Sequence, residues 1–155
     1  MRDLSECQSY VMHMHLEHRH IHEAVREVVS LFSTETRRNV SDFVADLVQK
    51  LASLRDELAK HFSEEDEGGC IEEAISRCPS LSHDASTLEG QHPALLAQLD
   101  ELIEQAREHV KTGATTQLEA KVSEFAKNLS AHEALENRIM QSAFGTGIDE
   151  SNSCS

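Results

Sequence analysis

Residues 116–143 read TQLEAKVSEFAKNLSAHEALENRIMQSA, and the spacing of the apolar side chains in this stretch decides the fold class. These side chains recur every three or four positions, which is the period of an amphipathic α-helix with one buried face. Two positions on that face carry polar residues, His132 and Glu136. The predicted inward face comprises Leu118, Val122, Phe125, Leu129, His132, Glu136, Ile139 and Ala143.

Three other stretches show the same spacing, and no strand-like alternation separates them. They predict helices over about residues 9–38, 41–67 and 82–111, with short turns after the first and the third. Their inward faces comprise Val11, Met14, His18, Ile21, Val25, Val28 and Phe32 in the first, Val44, Leu47, Leu51, Leu54, Leu58, His61 and Glu65 in the second, and Leu88, His92, Leu95, Leu99, Leu102, Ala106 and Val110 in the third.

Turn-forming residues mark the helix ends. We expect Ser41 to cap the second helix, a short extra helix over residues 70–77 to stop at Pro79, and Gly90 with Pro93 to kink the third helix or delay its start. The pattern predicts an all-α protein, an antiparallel up-down-up-down four-helix bundle with a short extra helix between the second and third helices. The bundle is expected to occupy residues 1–144, and residues 145–155 are expected to form a disordered tail.

The charge balance narrows the classes of partner. The chain has 14 Lys and Arg against 28 Asp and Glu, which leaves a net charge of −14. This charge repels nucleic acid and anionic membranes and attracts cations. No apolar run approaches the roughly 18 residues of a membrane span, and the first residues show no signal-peptide layout. Because its four cysteines lack C-x-x-C spacing, we expect a cytoplasmic protein with reduced thiols, Cys7, Cys70, Cys78 and Cys154.

Six polar residues occupy predicted inward positions, one histidine on each helix and a glutamate four positions after two of them. About 20 residues separate the first histidine from the first turn, and about 20 more separate that turn from the second histidine. For the third and fourth histidines, the two distances to the turn between their helices agree to within about one helical turn. All four histidines are therefore expected at one level of the bundle. Burying these groups costs several kcal/mol unless cations compensate them. The six are therefore candidate ligands of two divalent cations: His18, His61, Glu65, His92, His132 and Glu136.

The sequence also resembles a known family over about residues 10–144. His61-Phe62-Ser63-Glu64-Glu65 and His132-Glu133-Ala134-Leu135-Glu136 are similar to the second- and fourth-helix motifs of hemerythrin-like HHE cation-binding domains. His18, which Ile21 and Val25 follow, and His92 within Gln91-His92-Pro93-Ala94-Leu95-Leu96 occupy the places of that family's first- and third-helix ligands.

The resemblance implies a non-haem di-iron centre joined by an oxo or hydroxo bridge. It places His18 and His61 on one iron, His92 and His132 on the other, and Glu65 and Glu136 between the two. The residue types alone would also suit Zn or Mn. Oxygen-carrying hemerythrins have a second third-helix histidine where this chain has Leu96. The chain therefore looks more like the sensing, iron-handling and stress-linked branches of the family.

Three functions remain open at this stage. The first is a metal-binding protein that binds or senses a diatomic ligand, O2 or NO, or that buffers iron. The second is a di-iron enzyme that acts on peroxide or oxygen or repairs iron–sulfur clusters, and the third is a metal-free interaction bundle. His15 or His22 could supply an additional ligand, since both flank the inward face of the first helix. We expect the remaining histidines to lie outside the site: His13 and His20 in solvent, His83 in a loop and His109 at the helix surface.

Overall fold

The computed structural model describes residues 3–34, 39–112 and 115–145, and within these ranges the chain is helical and has no strand. The all-α prediction is therefore confirmed. The helices are α1 (Leu4–Thr34), α2 (Val40–Gly68), α3 (Cys70–Arg77), α4 (Ser82–Thr112) and α5 (Thr115–Phe144), and a 3-10 turn lies at Pro79–Leu81. The predicted end of the first helix over residues 35–38 and the predicted tail over residues 146–155 lie outside the described residues.

Two helices begin differently from the prediction. α1 begins at Leu4 rather than near residue 9, because Asp3 Oδ1 accepts a hydrogen bond of 2.8 Å from the backbone N–H of Glu6 and so caps its first turn. The prediction that Ser41 caps α2 was wrong, because the N-cap of this helix is Asn39. The Asn39 side chain accepts a hydrogen bond of 2.7 Å from the backbone N–H of Ser41.

Pro93 lies inside α4, so the predicted delay of the third helix to a later start was wrong. The turns before the proline are held by packing, since Ala85 and Leu88 are both buried against other helices. One consequence is that His83 lies in the first turn of α4, not in a loop. The end of α2 does follow the sequence pattern, because Gly69 adopts φ 79°, a conformation that favours glycine.

The predicted inward faces are buried, except that Val11 and Val25 are half-buried and the side chain of Val110 lies outside the description. The apolar core consists of two clusters. The larger includes Leu51, Leu99 and Phe125, and the smaller includes residues from α1, α3, α4 and α5. On α1, α4 and α5, the predicted metal-ligating residues lie between residues of the larger cluster and residues of the smaller one. Apolar packing thus lies on both sides of the polar layer that these residues form. The polar layer consists of His18, His61, Glu65, His92, His132 and Glu136.

The expectation of reduced cysteines was wrong for all three cysteines that the structure describes, Cys7, Cys70 and Cys78. Cys7 and Cys70 form a disulfide with their Cα atoms 5.6 Å apart, and no cysteine among the described residues is a free thiol. The early start of α1 explains the error for Cys7 and Cys70, because the added turn brings Cys7 against the first residue of α3. Among the described helices, none combines the length and the apolar character that crossing a membrane requires.

Candidate metal centre

All six predicted ligands are buried, from 7% exposure for His18 to 0% for Glu136, and the structure brings them together from α1, α2, α4 and α5. They form two groups in which one potential ligand atom of each residue lies within 4.8 Å of the others. Glu65 belongs to both. The first group contains His18, His61, Glu65 and Glu136, and the second contains Glu65, His92 and His132.

Glu65 joins two histidines from different helices. Its Oε1 lies 2.5 Å from His61 Nε2, and its Oε2 lies 2.9 Å from His92 Nε2. The two oxygens of one carboxylate therefore face imidazoles of different groups. This is the arrangement that a carboxylate shared between two cations requires.

Glu136 reaches three histidines with a single oxygen. Its Oε2 lies 3.2 Å from His18 Nε2, 3.8 Å from His61 Nε2 and 4.0 Å from His132 Nε2. These three side chains come from α1, α2 and α5, so Glu136 lies at the centre of the polar layer.

The inward-facing atoms of the six residues lack hydrogen-bond partners within the described part of the chain. Although the contacts are short, none is aligned as a hydrogen bond. A buried polar atom without a partner costs about 1–3 kcal/mol, and a charged one more. Imidazole nitrogens and carboxylate oxygens are also ligand atoms that Fe, Mn and Zn accept, so the set fits metal ions. The atoms are Nε2 of His18, His61, His92 and His132 and both carboxylate oxygens of Glu65 and Glu136.

Three of the histidines are oriented from behind by residues that the sequence pattern did not indicate. An Nδ1–H that donates to an oxygen leaves the Nε2 lone pair free to face a metal. The contacts join His61 Nδ1 to Glu17 Oε2 at 2.5 Å, His92 Nδ1 to Asp66 Oδ1 at 3.1 Å, and His132 Nδ1 to Gln91 Oε1 at 2.7 Å. Asp66 and Gln91 each adjoin a ligand in sequence, which was the only available signal.

The charges are unevenly held when no metal compensates them. Burial lowers the pKa of His61, but the close carboxylates of Glu136 and Glu65 outweigh it and raise the value to about 11. Burial lowers the pKa of His132 to about 4. Burial and the neighbouring Glu136 raise the pKa of Glu65, whereas the close contacts with Glu65 and His18 overcome burial and lower the pKa of Glu136. In the metal-free protein the two carboxyl groups thus resist being ionised together.

Phe62 fixes the positions of two imidazole rings. It stacks on His92 with ring centroids 4.2 Å apart and meets His132 edge-on at 5.2 Å. Phe62 is 3% exposed and belongs to the larger apolar cluster. Its ring therefore shields one side of the polar layer from water.

The other histidines differ in part from expectation. His109 is buried, not at the surface, because its ring packs 5.8 Å from Phe43 and its Nε2 lies 2.9 Å from Thr115 Oγ1. His13 and His20 are exposed as predicted. Among the described residues, neither His15 nor His22 joins the two ligand groups.

A cavity of about 540 Å³ lies between α1 and α5 and reaches the polar layer. His18 forms part of its wall, together with His22 and Glu133, which contact each other. Arg19 and Arg26 also line it. The cavity makes His18 the candidate ligand that an outside molecule can approach from this side.

Comparison with known proteins adds no relative: no family model, curated protein or solved structure matches this chain. The likeness to HHE cation-binding domains is therefore carried by the four motifs themselves.

Proposed function

We propose that this chain is a metal-binding protein of the hemerythrin-like type, in which six residues hold two metal ions as a non-haem di-iron centre. The observation that carries the proposal is the set of eight buried nitrogen and oxygen atoms that face one another without hydrogen-bond partners among the described residues. Two cations would give all eight atoms a partner at once.

The proposed assignment follows the family resemblance. His18 and His61 would hold one ion and His92 and His132 the other, with Glu65 and Glu136 shared. The membership of Glu65 in both ligand groups supports this division. Iron would supply redox activity and affinity for small ligands, which the side chains lack. Mn or Zn would suit the same donors.

We also propose the finer topology, an antiparallel up-down-up-down bundle of α1, α2, α4 and α5 with α3 as the extra helix. The contacts that support it form a closed ring, in which α1 packs on α2, α2 on α4, α4 on α5 and α5 on α1. Similar distances from each histidine to the nearest turn favour neighbouring helices of opposite direction.

The role of the centre would be to bind or sense a diatomic ligand, O2 or NO, or to buffer iron. Two features support a small ligand. The position one turn after His92 is the apolar Leu96, which packs against the larger cluster, and the cavity reaches His18. Phe62 and the two apolar clusters would limit the access of water to the ions.

An enzyme is the second candidate, and the size of the cavity favours it, because about 540 Å³ exceeds the needs of a diatomic molecule. Turnover of peroxide or oxygen, or transfer of iron to a damaged iron–sulfur cluster, would distinguish it from a binding protein. The orphaned polar atoms argue against a metal-free interaction bundle. The cytoplasmic location stays a prediction, and the Cys7–Cys70 disulfide argues against it, since such bonds persist mainly in oxidising compartments.

Metal analysis of protein purified without oxygen tests the proposal. We expect about two iron ions per chain, consistent with the two ligand groups, and an absorption spectrum of a bridged ferric pair after exposure to air. Protein that contains no metal and takes up no Fe²⁺, Mn²⁺ or Zn²⁺ would refute the proposed function.

A further inference from the structure

We propose that His13, Glu17 and Glu64 form a third divalent-cation site, at the surface, through which metal ions load the buried centre. The site itself is independent of the proposed function, whereas its loading role rests on it.

The three side chains converge from two helices. His13 and Glu17 lie one turn apart on α1, where His13 Nε2 contacts Glu17 Oε1, and Glu64 Oε2 on α2 lies 3.7 Å from the same nitrogen. One ligand atom from each residue lies within 4.8 Å of the others. The side chains are 58%, 21% and 38% exposed, in the order His13, Glu17, Glu64, so hydrated ions can reach all three.

The donors suit a first-row divalent cation. One imidazole and two carboxylates match Fe²⁺, Mn²⁺ or Zn²⁺, and three protein ligands leave positions for water, so a bound ion stays exchangeable. Lys60 competes for Glu64, since its Nζ lies 3.9 Å from Glu64 Oε1. The other oxygen of Glu64 is the one that faces His13.

Glu17 connects this surface cluster to the buried centre. Its Oε1 contacts His13, while its Oε2 lies 2.5 Å from Nδ1 of His61, which is 3% exposed. The carboxylate of one residue therefore touches both the outer cluster and a candidate ligand of the centre. An ion held by the outer cluster is separated from the polar layer by this single pair of side chains.

A route for cations is needed because all six ligands of the centre are buried. The cavity beside His18 is less suited to them, since Arg19 and Arg26 in its lining offset the charges of Glu23 and Glu133 and leave no excess of negative charge to attract positive ions. The surface cluster lies elsewhere, between α1 and α2, where its residue Glu17 contacts His61. Charge thus favours this surface over the cavity as the entry for metal ions.

The experiment uses Co²⁺ alone as the probe, with the full chain, and matched pairs of variants. His13→Gln and Glu64→Gln remove donors of the surface site, whereas His20→Gln and Glu67→Gln change an exposed histidine of α1 and an exposed glutamate of α2 outside it. Equilibrium dialysis counts the bound ions, and stopped-flow absorption follows loading at limiting Co²⁺. Circular dichroism checks that each variant is folded.

We expect the native chain and both controls to bind one weaker ion besides the buried pair, and His13→Gln and Glu64→Gln to lose that ion. Loading of the buried pair should slow about tenfold in these two variants, the lower end of the rate gain that local charge provides. Equal ion counts in all five proteins, or equal loading rates, would overturn the proposal. If the chain binds a single ion that His13→Gln removes and His92→Gln does not, the surface site stands and the buried centre is refuted.

Discussion

Replacing Glu65 with glutamine tests whether one carboxylate serves two ions. The substitution keeps the size of the side chain but removes the charge whose oxygens lie 2.5 Å from His61 Nε2 and 2.9 Å from His92 Nε2. Because Glu65 belongs to both ligand groups, we expect Glu65→Gln to lose both ions. Glu136→Gln should do the same, since Glu136 faces histidines of both groups.

Substitutions at residues that serve only one group should have graded effects. His92→Gln removes a ligand from the second group alone, so the chain should keep about one ion. Asp66→Asn leaves every ligand in place and weakens only the contact of 3.1 Å that orients His92. Loss of such an outer contact typically lowers metal affinity by 10- to 100-fold, or about 1.4–2.8 kcal/mol. Asp66→Asn should therefore bind two ions, one of them more weakly.

The assay is the metal content of each variant after anaerobic reconstitution with Fe²⁺ and removal of excess metal, with affinities measured by competition with a chelator. His20→Gln is the control, because His20 is exposed and lies outside both ligand groups. Far-ultraviolet circular dichroism separates loss of metal from loss of fold.

Two results would refute the reasoning. If Glu65→Gln kept two ions with native affinity, the carboxylate could not be shared between them. If His20→Gln lost as much metal as Glu65→Gln, the assignment of inward faces to the site would be wrong.

Four further predictions concern stability and protons. Chelation should lower the melting temperature, because metal at 100 times its dissociation constant adds about 2.7 kcal/mol to the folded state, or roughly 5–11 °C for a chain of this size; an unchanged melting temperature would count against the site. Metal binding at pH 7 should release the proton of His61, whose pKa is about 11, but none from His132, whose pKa is about 4. Because protons compete with the metal, metal affinity should decrease as the pH is lowered. Calorimetry in buffers of different ionisation enthalpy measures the proton release, and its absence contradicts the prediction. In the metal-free protein, the lowered pKa of His132 should also cost stability as pH falls from 6.5 toward 4, as urea titrations at several pH values would detect. Cys7→Ser should lower the free energy of unfolding by about 4 kcal/mol, since the disulfide closes a loop of 63 residues; equal urea midpoints for Cys7→Ser and the native chain would contradict this.

The helices and their buried faces were predictable because the helical period is local. The spacing of residues such as Leu51, Phe125 and Ile139 is enough to predict an inward face, and all three are buried in the structure. The convergence of the six candidate ligands was predictable for a related reason. A helix rises by a constant amount per residue, so counting from each turn places His18, His61, His92 and His132 at one level.

What surrounds the site could not be read in the same way. Glu17 supports His61 across 44 positions of sequence, and Gln91 supports His132 across 41. Such contacts depend on the relative height and rotation of two helices. A shift of one residue changes these by about 1.5 Å and 100°, which is enough to replace one partner with another.

The same limit explains the disulfide, the burial of His109 and the surface cluster at His13. Each is a contact between separate helices, or depends on where a helix begins. The sequence by itself determined the main inward face of each of the four long helices, because the spacing that marks this face follows from backbone geometry within one helix. Only the tertiary structure decided which outer residues meet them, because that follows from how neighbouring helices pack against one another.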